Sequence, residues 1–210
     1  MRSVMLIGGT GLVGQLVLHK ALAHPGVSQV VAPTRRPLPA HPRLLNPVVD
    51  FDGVPPDAPW WRVEAVVCAL GTTMRAAGSK AAFYRVDHDI PLHVAQLARQ
   101  HGAQAYALNS ALGADPSSRV FYSRTKGELE RDLQGLGYPS LTLVRPGLIG
   151  GERSESRPAE QLALRVSRWV RPLLPPRYRV VPAERIAHHL LAAVLSPRPG
   201  VHIVESEAIV

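Results

Sequence analysis

Val4-Met5-Leu6-Ile7-Gly8-Gly9-Thr10-Gly11-Leu12-Val13-Gly14 opens the chain with a short apolar run, three glycines at Gly-x-x-Gly-x-x-Gly spacing, and the start of an apolar-periodic segment. That order reads as strand, tight turn, helix. Gly8 permits the turn off the strand, Gly11 lets backbone approach a pyrophosphate with no Cβ in the way, and Gly14 lets the helix pack closely on the strand. A helix N-terminus adds free N–H groups and the positive end of a dipole. The turn from Gly8 through Thr10, Gly11, Leu12 and Val13 to Gly14 is therefore the expected phosphate cradle of a dinucleotide. A lone glycine motif is weak evidence, and its place between a first strand and a first helix is what gives it weight.

Beyond this unit, short β-branched runs alternate with helical patterns, the signature of βαβ units and a parallel sheet. Strands are predicted at residues 4–7, 29–32, 47–50, 65–69, 103–109, 141–145 and 201–205, and helices at 12–23, 89–100, 119–136, 160–170 and 183–195. Proline-rich connections fall at 33–47, 54–59 and 172–176. No repeat or composition shift marks a second domain. The expected architecture is α/β: a Rossmann-type doubly wound parallel sheet with helices on both faces, one domain over 1–210, with substrate-side loops and helices within 147–200.

The bulk properties narrow the function class. The chain has 210 residues, 46% hydrophobic and 19% charged, with a mean hydropathy of +0.01, a soluble globular profile. Its single cysteine, Cys68, excludes intrachain disulfides and sits in an apolar run, so it reads as a packing residue. The first apolar run is too short for a signal segment and none approaches a membrane span, which gives a cytoplasmic expectation with no membrane partner. The net charge of +8 is spread over dispersed arginines with no dense basic block, so no specific nucleic-acid partner is expected. The expected partner is a small-molecule substrate, the expected state a monomer or homodimer.

The second strand points to the cofactor. A site for NAD places Asp or Glu some 20 residues beyond the glycines, on the ribose 2′-hydroxyl. Here the strand is followed by Pro33-Thr34-Arg35-Arg36, with no carboxylate. Guanidinium groups at that place suit a 2′-phosphate, with charge-assisted and often bidentate hydrogen bonds. NADP(H) is expected rather than NAD(H).

In the second half, Ser110 closes a strand and Tyr122-Ser123-Arg124-Thr125-Lys126 opens a helix, putting Tyr122 and Lys126 on one face. Hydride transfer to a carbonyl needs a proton donor at the developing alkoxide. A tyrosine, near 10 when free, must come down by about three units to serve at neutral pH, on the order of 4 kcal/mol of electrostatic help. A neighbouring ammonium supplies such help. Lys126 is also expected to reach the nicotinamide ribose, and Ser110 to polarise the substrate oxygen. Tyr-x-x-x-Lys alone is common on helices, and the glycine turn and strand-end serine give it meaning.

Taken together, these stretches resemble the short-chain dehydrogenase/reductase superfamily, in the atypical branch that includes the Tat-interacting-protein subgroup, related to the NAD-dependent epimerases and dehydratases. The likeness runs through residues 8–14, Val49-Asp50-Phe51, Cys68-Ala69-Leu70-Gly71-Thr72-Thr73, Phe83-Tyr84-Arg85-Val86-Asp87, residues 110–115, residues 122–130 and Val144-Arg145-Pro146-Gly147. It implies that Asp50 and Phe51 contact the adenine, that Leu70, Gly71 and Thr72 line the cofactor, and that Pro146, Gly147 and Leu148 lie beside the nicotinamide. Two departures stand out. Asp87 occupies a position where many relatives outside this branch have an asparagine that serves a proton relay. The stretch 151–200 is short for a nucleotide-sugar domain, which argues against a sugar epimerase.

No metal site is expected: Asp87-His88-Asp89 is assigned to helix capping, and the adjacent His188 and His189 to diverging side chains. The sequence favours an NADP(H)-dependent oxidoreductase acting on a small carbonyl or alcohol through Ser110, Tyr122 and Lys126. A non-enzymatic NADP(H)-binding regulatory or assembly protein is the alternative, since fold does not fix function.

Overall fold

The computed structural model describes residues 1–150 and 175–209. The helix expected at 160–170 lies outside the described residues. Seven parallel strands form one sheet: β1 (Arg2–Ile7), β2 (Val27–Val31), β3 (Leu44–Leu45), β4 (Ala65–Cys68), β5 (Ala105–Asn109), β6 (Ser140–Arg145) and β9 (Gly200–Glu205), in the order β3-β2-β1-β4-β5-β6-β9. The order reverses direction between β1 and β4, and such a switch point opens a crevice at the carboxyl ends of the strands.

Alternation along β1 builds both layers. Val4 and Leu6 face a core shared with α1 (Leu12–Ala23) and α6 (Ala183–Leu195), where Val13, Val17, Ile186 and Leu190 are buried. Met5 and Ile7 face the opposite core, shared with α4 (Ile90–Gln100) and α5 (Phe121–Gln134) through Val94, Leu97, Leu129 and Leu133. A sheet buried on both faces needs unbroken apolar strands, which is why β4 reads Ala65-Val66-Val67-Cys68 with all four buried. Cys68 packs there, and burial raises its thiol pKa.

Two expectations need correction. Residues 47–50 form no strand. The third strand is the two-residue β3, and Thr34 and Val48 make only an isolated bridge. The prolines at 42 and 47 flank this stretch and leave little ladder to build. The helix expected at 89–100 is found as α4, but the helical run that leads into it was not expected. The short helices α2 (Met74–Ala77) and α3 (Lys80–Tyr84) precede it, and a π-turn over Arg85–Asp89 joins α3 to α4. A two-stranded sheet of β7 (Ile149–Gly150) and β8 (Val181–Pro182) completes the described fold. Among the described residues no helix is long and apolar enough to cross a membrane.

Candidate active site

The glycine turn is built as its spacing requires. Gly8 has φ +83, and a Cβ on it would lie 2.6 Å from the Ala69 and Leu70 backbone. A Cβ on Gly14 would collide with the Gly8 carbonyl. Gly11 is the N-cap of α1 with no side-chain cap, so the first-turn N–H groups of the helix are left to an external anion. Thr10 is held by Gln15, whose Nε2 donates to its carbonyl at 3.1 Å, and Leu12 and Val13 open the helix behind it.

The β2 exit carries the arginines on a stapled turn. Asn46 Nδ2 donates to the Ala32 carbonyl and to Thr34 Oγ1, and Asn46 Oδ1 accepts from the Leu38 N–H at 2.7 Å. Thr34 Oγ1 in turn donates to the Arg36 carbonyl at 2.6 Å. Arg35 and Arg36 are exposed and their side chains have no partner among the described residues. This donor set fits a phosphate better than a ribose diol. Asp50 is exposed, its Oδ1 accepting from the Asp52 N–H, and Phe51 packs on the α4–α5 core. Asn46 was missed from the sequence, because an asparagine between prolines looks like any loop residue.

The π-turn decides the other half of the site. The Ile90 N–H donates to the Arg85 carbonyl five residues back, and this widened turn points Asp87 and His88 inward together. Asp87 Oδ1 lies 2.7 Å from Lys126 Nζ, with both side chains buried. Asp87 Oδ2 accepts the Thr72 N–H at 2.8 Å. His88 sits between Asp89 and Asp132 at 2.9 and 3.0 Å. None of the three caps a helix: Asp89 has αR backbone and no capping bond, so the capping expectation for this triplet is corrected. Among the described residues no cluster able to hold a metal is found.

Lys126 lies one turn into α5 beneath the exposed Tyr122, whose ring sits 5.8 Å from Phe83. Burial works to lower the Lys126 pKa, but opposing negative charge, the Asp87 carboxylate first, outweighs it, and the net shift is upward. Gly71 passes over this pair, where a Cβ would lie 3.4 Å from Asp87 Oδ1 and 3.8 Å from Lys126 Nζ. Leu70 packs beside it on the core. The structure therefore brings Lys126, Tyr122, Gly71 and Thr72 together.

Ser110 is placed differently. Its hydroxyl donates to Glu130 Oε1, and Glu130 is buried and clasped by Arg145, whose Nε and Nη2 donate at 3.1 and 2.6 Å. Arg145 Nη1 reaches on to Glu205 at 3.0 Å. One hydroxyl has one proton, so in this arrangement Ser110 offers a ligand only lone pairs. Next to it, Asn109 Oδ1 is buried with no hydrogen-bond partner among the described residues. At the carboxyl end of β5 it is an acceptor left open for a ligand's N–H or O–H. Pro146 is buried, the Gly147 N–H donates to Ser206 Oγ at 3.1 Å, and Leu148 stands exposed. Asn109 ends a predicted strand and Glu130 ends a stretch that carries the family likeness, but nothing in the sequence gave either a role. Their meaning comes from partners far away in the chain. The uncapped helix, the glycine cradle, the two partnerless arginines and the open Asn109 oxygen all fit a phosphorylated dinucleotide laid across the strand ends.

No family model matches the chain. The protein fmp52, mitochondrial, of Emericella nidulans is 39% identical over 173 residues, 78% of this chain and 73% of that protein. Protein HTATIP2 of Rattus norvegicus is 34% identical over 214 residues, covering 99% of this chain and 88% of that one. Among solved structures, the Bordetella bronchiseptica enzyme WbmH in complex with NAD+ superposes with a TM-score of 0.72 at 16% identity, over 98% of this chain and 76% of that one. A short chain dehydrogenase family protein from Francisella tularensis does so with 0.66 at 11% identity, over 99% and 98%. At these identities the structures show a common Rossmann-type fold. The cytoplasmic expectation is overturned: several of the similar curated proteins are named mitochondrial. It rested on the lack of an apolar segment, and apolarity does not encode a compartment.

Proposed function

This chain belongs to the family of the HTATIP2 and Fmp52 proteins, and we propose that it is an atypical short-chain dehydrogenase/reductase, an NADP(H)-dependent oxidoreductase acting on a small carbonyl or alcohol. The observation that carries the reading is the buried Lys126 ammonium beneath an exposed Tyr122, at the strand ends that also present the glycine cradle.

When bound, the dinucleotide supplies or accepts the hydride. The first-turn N–H groups of α1 hold its pyrophosphate, with Gly8, Gly11 and Gly14 allowing the approach. Arg35 and Arg36 hold the 2′-phosphate. Asp50 and Phe51 would take the adenine, Leu70, Gly71 and Thr72 would line the middle of the cofactor, and Pro146, Gly147 and Leu148 would serve the nicotinamide, as the family likeness implies. Tyr122 gives its proton to the substrate oxygen during reduction and takes it back during oxidation. Lys126 holds a positive charge beneath Tyr122 and donates to the ribose. Ser110, with its proton on Glu130, fixes the β5 end against α5 and β6.

A screen of aldehydes, ketones and quinones for NADPH oxidation tests this reading. A substrate is expected among them, with Tyr122→Phe lowering turnover roughly 10²–10⁴-fold while NADPH affinity barely changes. A turnover that survives Tyr122→Phe removes Tyr122 from the chemistry. One observation favours a second reading, a non-enzymatic NADP(H)-binding regulator: Ser110 and Lys126 are both engaged by carboxylates of the chain itself. Tight NADPH binding with silence across the whole screen would select it.

A further inference from the structure

We propose that Asp87 is a positioning residue that keeps Lys126 cationic and ties it to the Thr72 loop, making cofactor binding insensitive to pH where an unpaired buried lysine would lose its proton. The proposal rests on the reading of the strand ends as an NADP(H) site.

The geometry assigns each Asp87 oxygen one donor: Oδ1 takes the Lys126 ammonium and Oδ2 takes the Thr72 N–H. An asparagine has one acceptor oxygen and can serve only one of them, with its NH₂ turned toward the other donor. An aspartate is the residue that satisfies both. The groups that face Lys126 Nζ are few. Asp87 comes from the π-turn, the Tyr122 hydroxyl from α5 itself, and the Cys68 thiol from the end of β4. Cys68 is kept neutral by burial. Glu130, one turn along α5, is spoken for by Ser110 and Arg145, and His88 turns away to Asp89 and Asp132.

Among the described residues, Asp87 is thus the only carboxylate facing the ammonium. Lys126 is 3% exposed, and an ammonium so buried is unstable without a partner. Removing the carboxylate leaves burial to dominate, and a buried unpaired lysine titrates downward. Its charge would then be lost on mild alkalinisation, together with its donation to the ribose.

The signs follow from linkage. In the native chain the Lys126 pKa is raised, so its stabilisation is present below the unfolded value and is lost only as pH rises through the folded one. In Asp87→Asn the folded value falls below the unfolded one, so the native state gains stability as pH rises between them.

NADPH titrations from about pH 7.5 to about pH 9.5, above the second ionisation of a phosphate near about 6, test this on the whole chain. The native chain should show a flat affinity. Asp87→Asn should weaken about fivefold or more as pH rises, and Asp87→Asn with Lys126→Met should be weak and flat. Urea unfolding of the same three chains without cofactor is the second arm. Asp87→Asn should gain stability on the double variant as pH rises. Unfolding of Asp87→Asn alone, with the double variant folded, also supports the proposal. A flat Asp87→Asn in both arms overturns it, as does failure of both variants to fold. If the native chain binds no NADPH, the proposed function falls and the unfolding arm alone decides the role of Asp87.

Discussion

Ser110 and Lys126 lie at the same end of the sheet and offer a ligand different things. The Ser110 proton is given to Glu130, whose other contacts come from Arg145, while Lys126 has three N–H groups and pairs with a single carboxylate oxygen of Asp87 among the described residues. Ser110→Ala should therefore cost about 1–3 kcal/mol of stability, since Glu130 Oε1 loses one of its two donors and keeps Arg145 Nε, and reduce turnover far less than Tyr122→Phe. Denaturant midpoints and turnover of both variants check this. Equal losses of turnover would return Ser110 to the substrate oxygen. At this scale the sequence was legible where one helical turn relates two residues, as with Tyr122 and Lys126. It was not legible where the partner is remote: Glu130 for Ser110, Asp87 for Lys126, Asn46 for the arginine turn.

Elements place these side chains, and two of them do so through backbone proximity. Gly127 lies in α5 where a Cβ would collide with the Asp115 and Pro116 backbone, so the β5–α5 loop lies flush on the helix that carries Tyr122 and Lys126. Gly127→Ala should destabilise the chain by roughly 1–3 kcal/mol, as overpacking does, and weaken NADPH binding by displacing Lys126. Thermal unfolding with and without NADPH measures both, and an unchanged midpoint would contradict the packing. The helices at 12–23 and 183–195 were readable to the residue: the first is apolar nearly all round and opens on the glycine turn, and the second carries an apolar stripe that begins after Pro182. The π-turn was not, because periodicity carries no mark of one inserted residue. The strand at 47–50 failed because β-propensity yields to flanking prolines.

At the scale of the molecule, the parallel sheet was legible from strand–helix alternation, while the strand order with its switch point came from the structure and the compartment was not legible. The excess positive charge is dispersed, so duplex DNA should bind weakly and without sequence preference, with Kd no tighter than about 10⁻⁶ M at physiological salt and a steep loss on adding salt. Tight, sequence-selective binding in a salt titration would overturn that reading. The charge that matters lies at the β2 exit, where Arg35 and Arg36 stand exposed on a turn stapled by Asn46. Charge-assisted hydrogen bonds of about 1.5–3 kcal/mol make the cofactor preference measurable. Calorimetric titration of the chain with NADPH and with NADH tests the account most directly. NADPH should bind at least about tenfold more tightly, with Arg35→Ala erasing most of the difference, and NADH binding equally well or better would contradict it.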